Sequence, residues 1–265
     1  MTTAGALRVA ILALATVISL TMLVGAPAPS ASANPITITA VGDSYLAGIG
    51  AGSYTLTDGC RRSSNSPPAH LARRLNAHLV DLTCPGGTIT SASRAVTGLD
   101  RNSDLVVVQI GGNDMGFTAL AGACLIGSTD ICQSTVADAH RRLPGIRSGL
   151  LSLVRQIRLS APTAEVLVLG YPRLLGTARR CEHLLDAPRV RAIDRLQRTL
   201  DRVIRSASRT AGAQFTDWPR TVDRASLCSA DPWYALPGDR IDDLLHPDSR
   251  ATLAMGRHLT REWTR

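Results

Sequence analysis

The sequence predicts an α/β fold built on a parallel sheet. Two observations lead there: short β-rich runs that are apolar throughout, and amphipathic helical patterns that alternate with them. An uninterrupted apolar strand is buried on both faces, the situation of a parallel strand covered by crossover helices. Alternation of the two element types makes those crossovers the simplest path for the chain.

The expected strands are Ile36–Val41, Leu105–Ile110 and Val166–Leu169, with weaker candidates at Leu79–Leu82 and Ala213–Phe215. The first expected helix, Pro67–Leu79, has Ser66 as N-cap and Pro67 at its first position, the residue types that open helices. A long helix follows from Ser134 to Leu159, with Pro144 expected to kink or split it. The next, Val190–Ala207, carries an apolar stripe through Ile193, Leu196, Leu200 and Ile204. Its opposite face is rich in Arg, with acid-to-base pairs at Asp194/Arg198 and Asp201/Arg205. The last helix is expected over Ser249–Trp263, and Ala178–Pro188 and Trp218–Pro237 read as irregular excursions.

The N-terminus reads as an export signal, residues 1–33. Arg8 precedes an apolar run from Val9 to Val24, and a small-residue stretch ends in Ala31-Ser32-Ala33. An uncleaved membrane anchor is the competing reading of the same run. Residues 34–265 then form one expected domain, in which no later segment is long and apolar enough to span a bilayer. All six cysteines lie in that domain, and an even number in an exported chain implies disulfides. They fall along the chain as Cys60 and Cys84, Cys124 and Cys132, Cys181 and Cys228; other pairings remain open at this level. No Cys/His spacing suits a zinc site, and no metal or cofactor is expected. The formal charge of +8 is carried by Arg alone. It suits solvated helix faces, or contact with anionic lipid or the cell envelope; net charge is all that speaks for nucleic acid, which is not an expected partner.

Four short motifs carry the chemistry. Gly42-Asp43-Ser44-Tyr45 ends the first strand, where α/β sheets place ligands. Cys84-Pro85-Gly86-Gly87 follows the second, and Gly111-Gly112-Asn113-Asp114 follows the third. Asp243-Leu244-Leu245-His246-Pro247 precedes the last helix. Each alone is an ordinary turn; the ordered set is not. It resembles the SGNH (GDSL) hydrolase family, in its secreted, cysteine-bearing actinomycete lipase/esterase branch. That resemblance implies a three-layer α/β/α sandwich with a five-stranded parallel sheet, and three sequential disulfides. It also implies Ser44 as nucleophile, His246 as base, and Asp243 as the carboxylate that holds the His246 Nδ1. The oxyanion would be held by the Ser44 and Gly86 N–H groups and the Asn113 side chain. Gly87 is an alternative one residue away.

The expected activity is hydrolysis of carboxylic or lipid esters through an acyl-enzyme on Ser44, by a secreted monomer. O-deacetylation of a carbohydrate and a non-catalytic envelope-binding module are the rivals. His70, His78, His140, His183 and His258 are expected to be structural. Trp218, Trp233, Tyr234 and Leu236 read equally as acyl-pocket lining or as a small loop core.

Overall fold

A parallel sheet needs every strand covered on both faces, and the side-chain pattern meets that requirement. The computed structural model describes residues 35–176, 181, 184–236 and 240–264; the expected signal segment, Pro237 and His183 lie outside them. Five strands pair in parallel: β1 (Thr37–Gly42), β4 (His78–Asp81), β5 (Leu105–Gln109), β6 (Glu165–Leu169) and β7 (Gln214–Thr216), in the order β4-β1-β5-β6-β7. Along β5, Leu105 and Val107 join one core cluster while Val106 and Val108 join the other. Successive side chains point to opposite faces, so an all-apolar run is what a doubly covered strand demands.

One face is covered by α2 (Pro67–Leu75) and α9 (Ser249–Trp263), through Leu71, Met255 and Leu259. The other is covered by α3 (Ile89–Ala95), α6 (Thr129–Ser160) and α7 (Ala187–Thr210), through Ile89, Leu150, Leu153, Leu196 and Leu200. The expected three-layer sandwich is thus the observed one. Pro35–Arg265 makes one compact unit.

Several boundaries differ from the sequence expectation. Helix α2 stops at Leu75 because Asn76 turns left-handed (φ 49°) and frees His78–Asp81 for β4. Helix α6 begins at Thr129, where the Ser128 side chain accepts from the Ile131 N–H. It also runs unbroken through Pro144. Proline removes one backbone bond there, but Leu143, Ile146 and Leu150 are anchored in the core on either side of it. The excursion before α7 ends early, since Asp186 caps that helix on the Arg189 N–H and Ala187 and Pro188 are already helical.

An element absent from the sequence expectation is the hairpin of β2 (Tyr54–Thr57) and β3 (Cys60–Ser63). Its two-residue turn, Asp58-Gly59, has φ of 54° and 75°, and positive φ at both positions is what the favoured hairpin turns require. The disulfides are Cys60–Cys84, Cys124–Cys132 and Cys181–Cys228. The last closes the longest loop, with a sequence separation of 47, and removes about 4 kcal/mol of unfolded-state freedom by loop-closure entropy.

The strand order places β1 between β4 and β5, so the connections leaving β1 and β4 run to opposite sides. Such a switch point opens a crevice at the carboxyl ends of the strands. Ser44 follows β1 and Asn113 follows β5, both at that crevice.

Candidate active site

Ser44 is the first residue of α1 (Ser44–Ala47), a single turn packed on β1. Gly42 is required before it, because a Cβ there would lie 2.5 Å from the Gln109 carbonyl. Asp43 caps α1 by accepting from the Tyr45 N–H at 3.0 Å. Its second oxygen accepts from the Tyr171 hydroxyl. Burial of this carboxyl pushes its pKa up to about 7, offset in part by the Tyr171 and Tyr45 hydrogen bonds. Both Asp43 oxygens are thus engaged in bracing the turn that carries Ser44. Asp114 does the same for a second turn, accepting from the Ile89 N–H at 3.1 Å.

His246 Nε2 lies 2.7 Å from Ser44 Oγ. Its Nδ1 lies 2.9 Å from the Leu244 carbonyl oxygen. A carbonyl only accepts, so Nδ1 carries the proton and Nε2 is left with a lone pair facing the serine hydroxyl. The loop is held from three sides. Tyr45 donates to the Leu245 carbonyl at 2.9 Å, and Leu245 sits at φ 63°, an unfavourable region for a branched side chain. Ala235 N–H donates to the His246 carbonyl at 2.9 Å. Gly50 leaves room for the backbone, since a Cβ there would fall 2.6 Å from the Pro247 carbonyl.

The side chains of Asp243 and His246 are not hydrogen-bonded to each other in this structure. Its carboxylate accepts from Arg61 at 2.6 Å and from the Tyr54 hydroxyl at 2.9 Å. Both partners come from the β2–β3 hairpin, and Arg61 stacks on the Tyr54 ring with 4.4 Å to its centroid. A full guanidinium charge holds a carboxylate more strongly than a neutral imidazole N–H does. With the carboxylate taken, the nearby Leu244 carbonyl orients the imidazole in its place.

Asn113 donates through Nδ2 to the Gly87 carbonyl at 2.9 Å. An amide nitrogen carries two protons, so one orients the side chain and the other faces the cleft. Gly87 is buried and its N–H is bonded to the Cys84 carbonyl at 2.9 Å. Gly86 (φ 75°) lines the same cleft as Ser44, Asn113 and His246. Of the two glycines, Gly86 is the one that lines this cleft.

Beside Ser44 opens a narrow, mostly apolar cavity. Its walls are α5 (Phe117–Leu125), through Leu120, Ala121 and Leu125, and α7, through Ile193, Leu196 and Leu200, with Tyr171 completing it. None of these was expected from the sequence as a binding residue; Leu196 and its neighbours had read as core stripe. Trp218, Trp233, Tyr234 and Leu236 do not line it. Trp218 and Tyr234 are buried in the two main core clusters on opposite faces of the sheet, so they form neither an acyl pocket nor a small shared loop core. His78 and His140 are exposed, and His70 and His258 are half-buried against Arg73 and Thr216, outside the cleft.

The sequence matches the GDSL-like lipase/acylhydrolase family over residues 40–251. The chain belongs to that family. This acylhydrolase is 33% identical to Lipase 1 of Streptomyces coelicolor, over 78% of the chain and 79% of the relative. Among solved structures it is similar to phospholipase A1 from Streptomyces albidoflavus (29% identity, TM-score 0.78, covering 87% of this chain and all of the other). It is also similar to the extracellular lipase of Streptomyces rimosus (28% identity, TM-score 0.79, covering 84% and 99%). Family membership makes it a carboxylic ester hydrolase.

If His246 serves as the base, its environment sets the acid limit of the activity. Burial, above all, lowers its pKa below the ordinary 6.5; bonds to the Leu244 and Asp243 backbone and the Asp243 charge oppose this, and Arg61 adds to it. Protonation switches the base off, so kcat/KM should stay level on lowering the pH through 6.5 and fall only beneath it. A pH–rate profile with the acid limb above 6.5 contradicts this.

Proposed function

We propose that the chain is exported, loses residues 1–33, and works as a monomeric hydrolase of lipid esters through an acyl-enzyme on Ser44. The observation that carries this reading is the 2.7 Å Ser44–His246 contact opening directly onto the apolar cavity. Three disulfides and the likeness to an extracellular lipase support export. Ser44 Oγ passes its proton to His246 Nε2 as it attacks the ester carbonyl, and Leu244 O holds the resulting imidazolium by Nδ1–H. The carbonyl oxygen, now anionic, meets the Ser44 and Gly86 N–H groups and the Asn113 amide. His246 returns the proton to the leaving alcohol, and water repeats the sequence on the acyl-enzyme.

An organophosphonate tests the nucleophile: mass spectrometry should place one adduct on Ser44 in the wild type and none in Ser44→Ala. A p-nitrophenyl ester series tests the substrate. Octanoyl esters should exceed acetyl esters in kcat/KM, because each buried methylene gains about 0.8 kcal/mol. Acetyl preference instead favours the carbohydrate deacetylase, and an absent adduct favours a non-catalytic binder. Filling the cavity from α7 with Leu196→Trp should lower kcat/KM for octanoyl esters about tenfold or more while leaving acetyl esters nearly unchanged. An equal loss on both esters would place the acyl chain elsewhere.

A further inference from the structure

Tyr171 follows β6 and reaches across the sheet to the two turns at the switch point. Its hydroxyl donates to Asp43, the residue before the nucleophile. The same oxygen accepts the Gly112 N–H at 2.9 Å, the residue before Asn113. The Tyr171 N–H donates to Asp201 at 3.0 Å, which fixes the base of the side chain to α7. Its ring meets Tyr45 edge-on, with centroids 5.4 Å apart, and Tyr45 in turn holds the Leu245 carbonyl of the His246 loop. One phenol hydroxyl is thus shared between the nucleophile turn after β1 and the oxyanion turn after β5. Gly112 admits it: a Cβ there would lie 3.1 Å from the Tyr171 hydroxyl oxygen.

We infer that Tyr171 is a positioning residue that sets the spacing between Ser44 Oγ and the Asn113 oxyanion donor through its bonds to Asp43 and Gly112. The inference rests on Ser44 being the nucleophile and Asn113 an oxyanion donor. Neither turn has its spacing set by β1–β5 pairing alone, because that pairing ends at Gly42 and Gln109. Beyond those residues, the Asp43 N–H to Gln109 carbonyl bond at 3.1 Å and the tyrosine bridge join the two turns. Removing the bridge lets Asp43 keep its bond to Tyr45, so α1 stays capped while the oxyanion turn is released. An oxyanion donor displaced by a fraction of an ångström loses most of its effect on the transition state and little on the bound ester.

The test is Tyr171→Phe, which keeps the ring in the cavity wall and removes only the hydroxyl. With a short soluble ester, kcat should fall about 10- to 100-fold with KM within about twofold. Affinity for a trifluoromethyl ketone, which forms a tetrahedral adduct on the serine, should fall in proportion to kcat/KM. Affinity for a long-chain alcohol that only fills the cavity should not change. An unchanged kcat overturns the inference. So does a parallel loss of ketone affinity, alcohol affinity and melting temperature, since that is loss of structure. Should Tyr171→Phe fold poorly, Gly112→Ala crowds the same hydroxyl from the other side and should give the same kcat loss; wild-type rates there also overturn it. Absence of a phosphonate adduct on wild-type Ser44 would instead remove the reading beneath it.

Discussion

His246→Ala should lower kcat by about 10⁴- to 10⁶-fold, the scale on which serine hydrolases lose rate with their base, while Asp243→Asn should cost no more than about 10²-fold. Where an aspartate bonds the catalytic histidine directly, its loss costs about 10⁴-fold, because the wrong tautomer is admitted. Here the Leu244 carbonyl already selects the tautomer, at 2.9 Å from Nδ1. Asp243 acts at one remove, by occupying Arg61 and contributing charge that raises the His246 pKa. Its loss leaves Arg61 unpaired near the imidazole and should shift the acid limb of the pH profile further down. Both variants are to be measured with a soluble ester, with circular dichroism to verify folding. A folded Asp243→Asn as impaired as His246→Ala would mean that the carboxylate moves to the imidazole during turnover.

Asn113→Ala should lower kcat by about 10²- to 10³-fold with a much smaller change in KM, the cost of one side-chain oxyanion donor. On the proposed mechanism the residual rate would come from the Ser44 and Gly86 backbone donors, which the substitution leaves in place. Asn113→Asp should be worse than Ala, since it sets a carboxylate against the Gly87 carbonyl and the developing negative charge. Pre-steady-state kinetics separates acylation, which should slow, from ester binding, which should not. Wild-type acylation in Asn113→Ala would remove the side chain from the oxyanion site.

Much of the fold was legible because its determinants are local or periodic. The run Leu105–Gln109 alternates between two buried faces, and that double burial is written directly as continuous apolar text. The helix start at Pro67 follows from its cap, Ser66. The Asp58-Gly59 hairpin was not legible in this way, because an Asp-Gly pair is a strong signal only where apolar alternation flanks it. The exposed, polar strands around it have no apolar alternation to draw attention. Pro144 misled because core anchorage outweighs one lost helical bond.

What the sequence by itself determined is the order of turns: a serine after β1, a glycine pair after β4, an asparagine after β5 and a histidine ahead of α9. Parallel strand order then carries those turns to one end of the sheet. What only the tertiary structure decided is which partner each group takes. Arg61 and Tyr54, nearly two hundred residues before Asp243, claim its carboxylate and leave His246 to a carbonyl. The apolar wall beside Ser44 comes from α5 and α7, whose residues read individually as core. Hydrogen-bond competition and cavity shape depend on distances between remote elements, and no spacing along the chain encodes them.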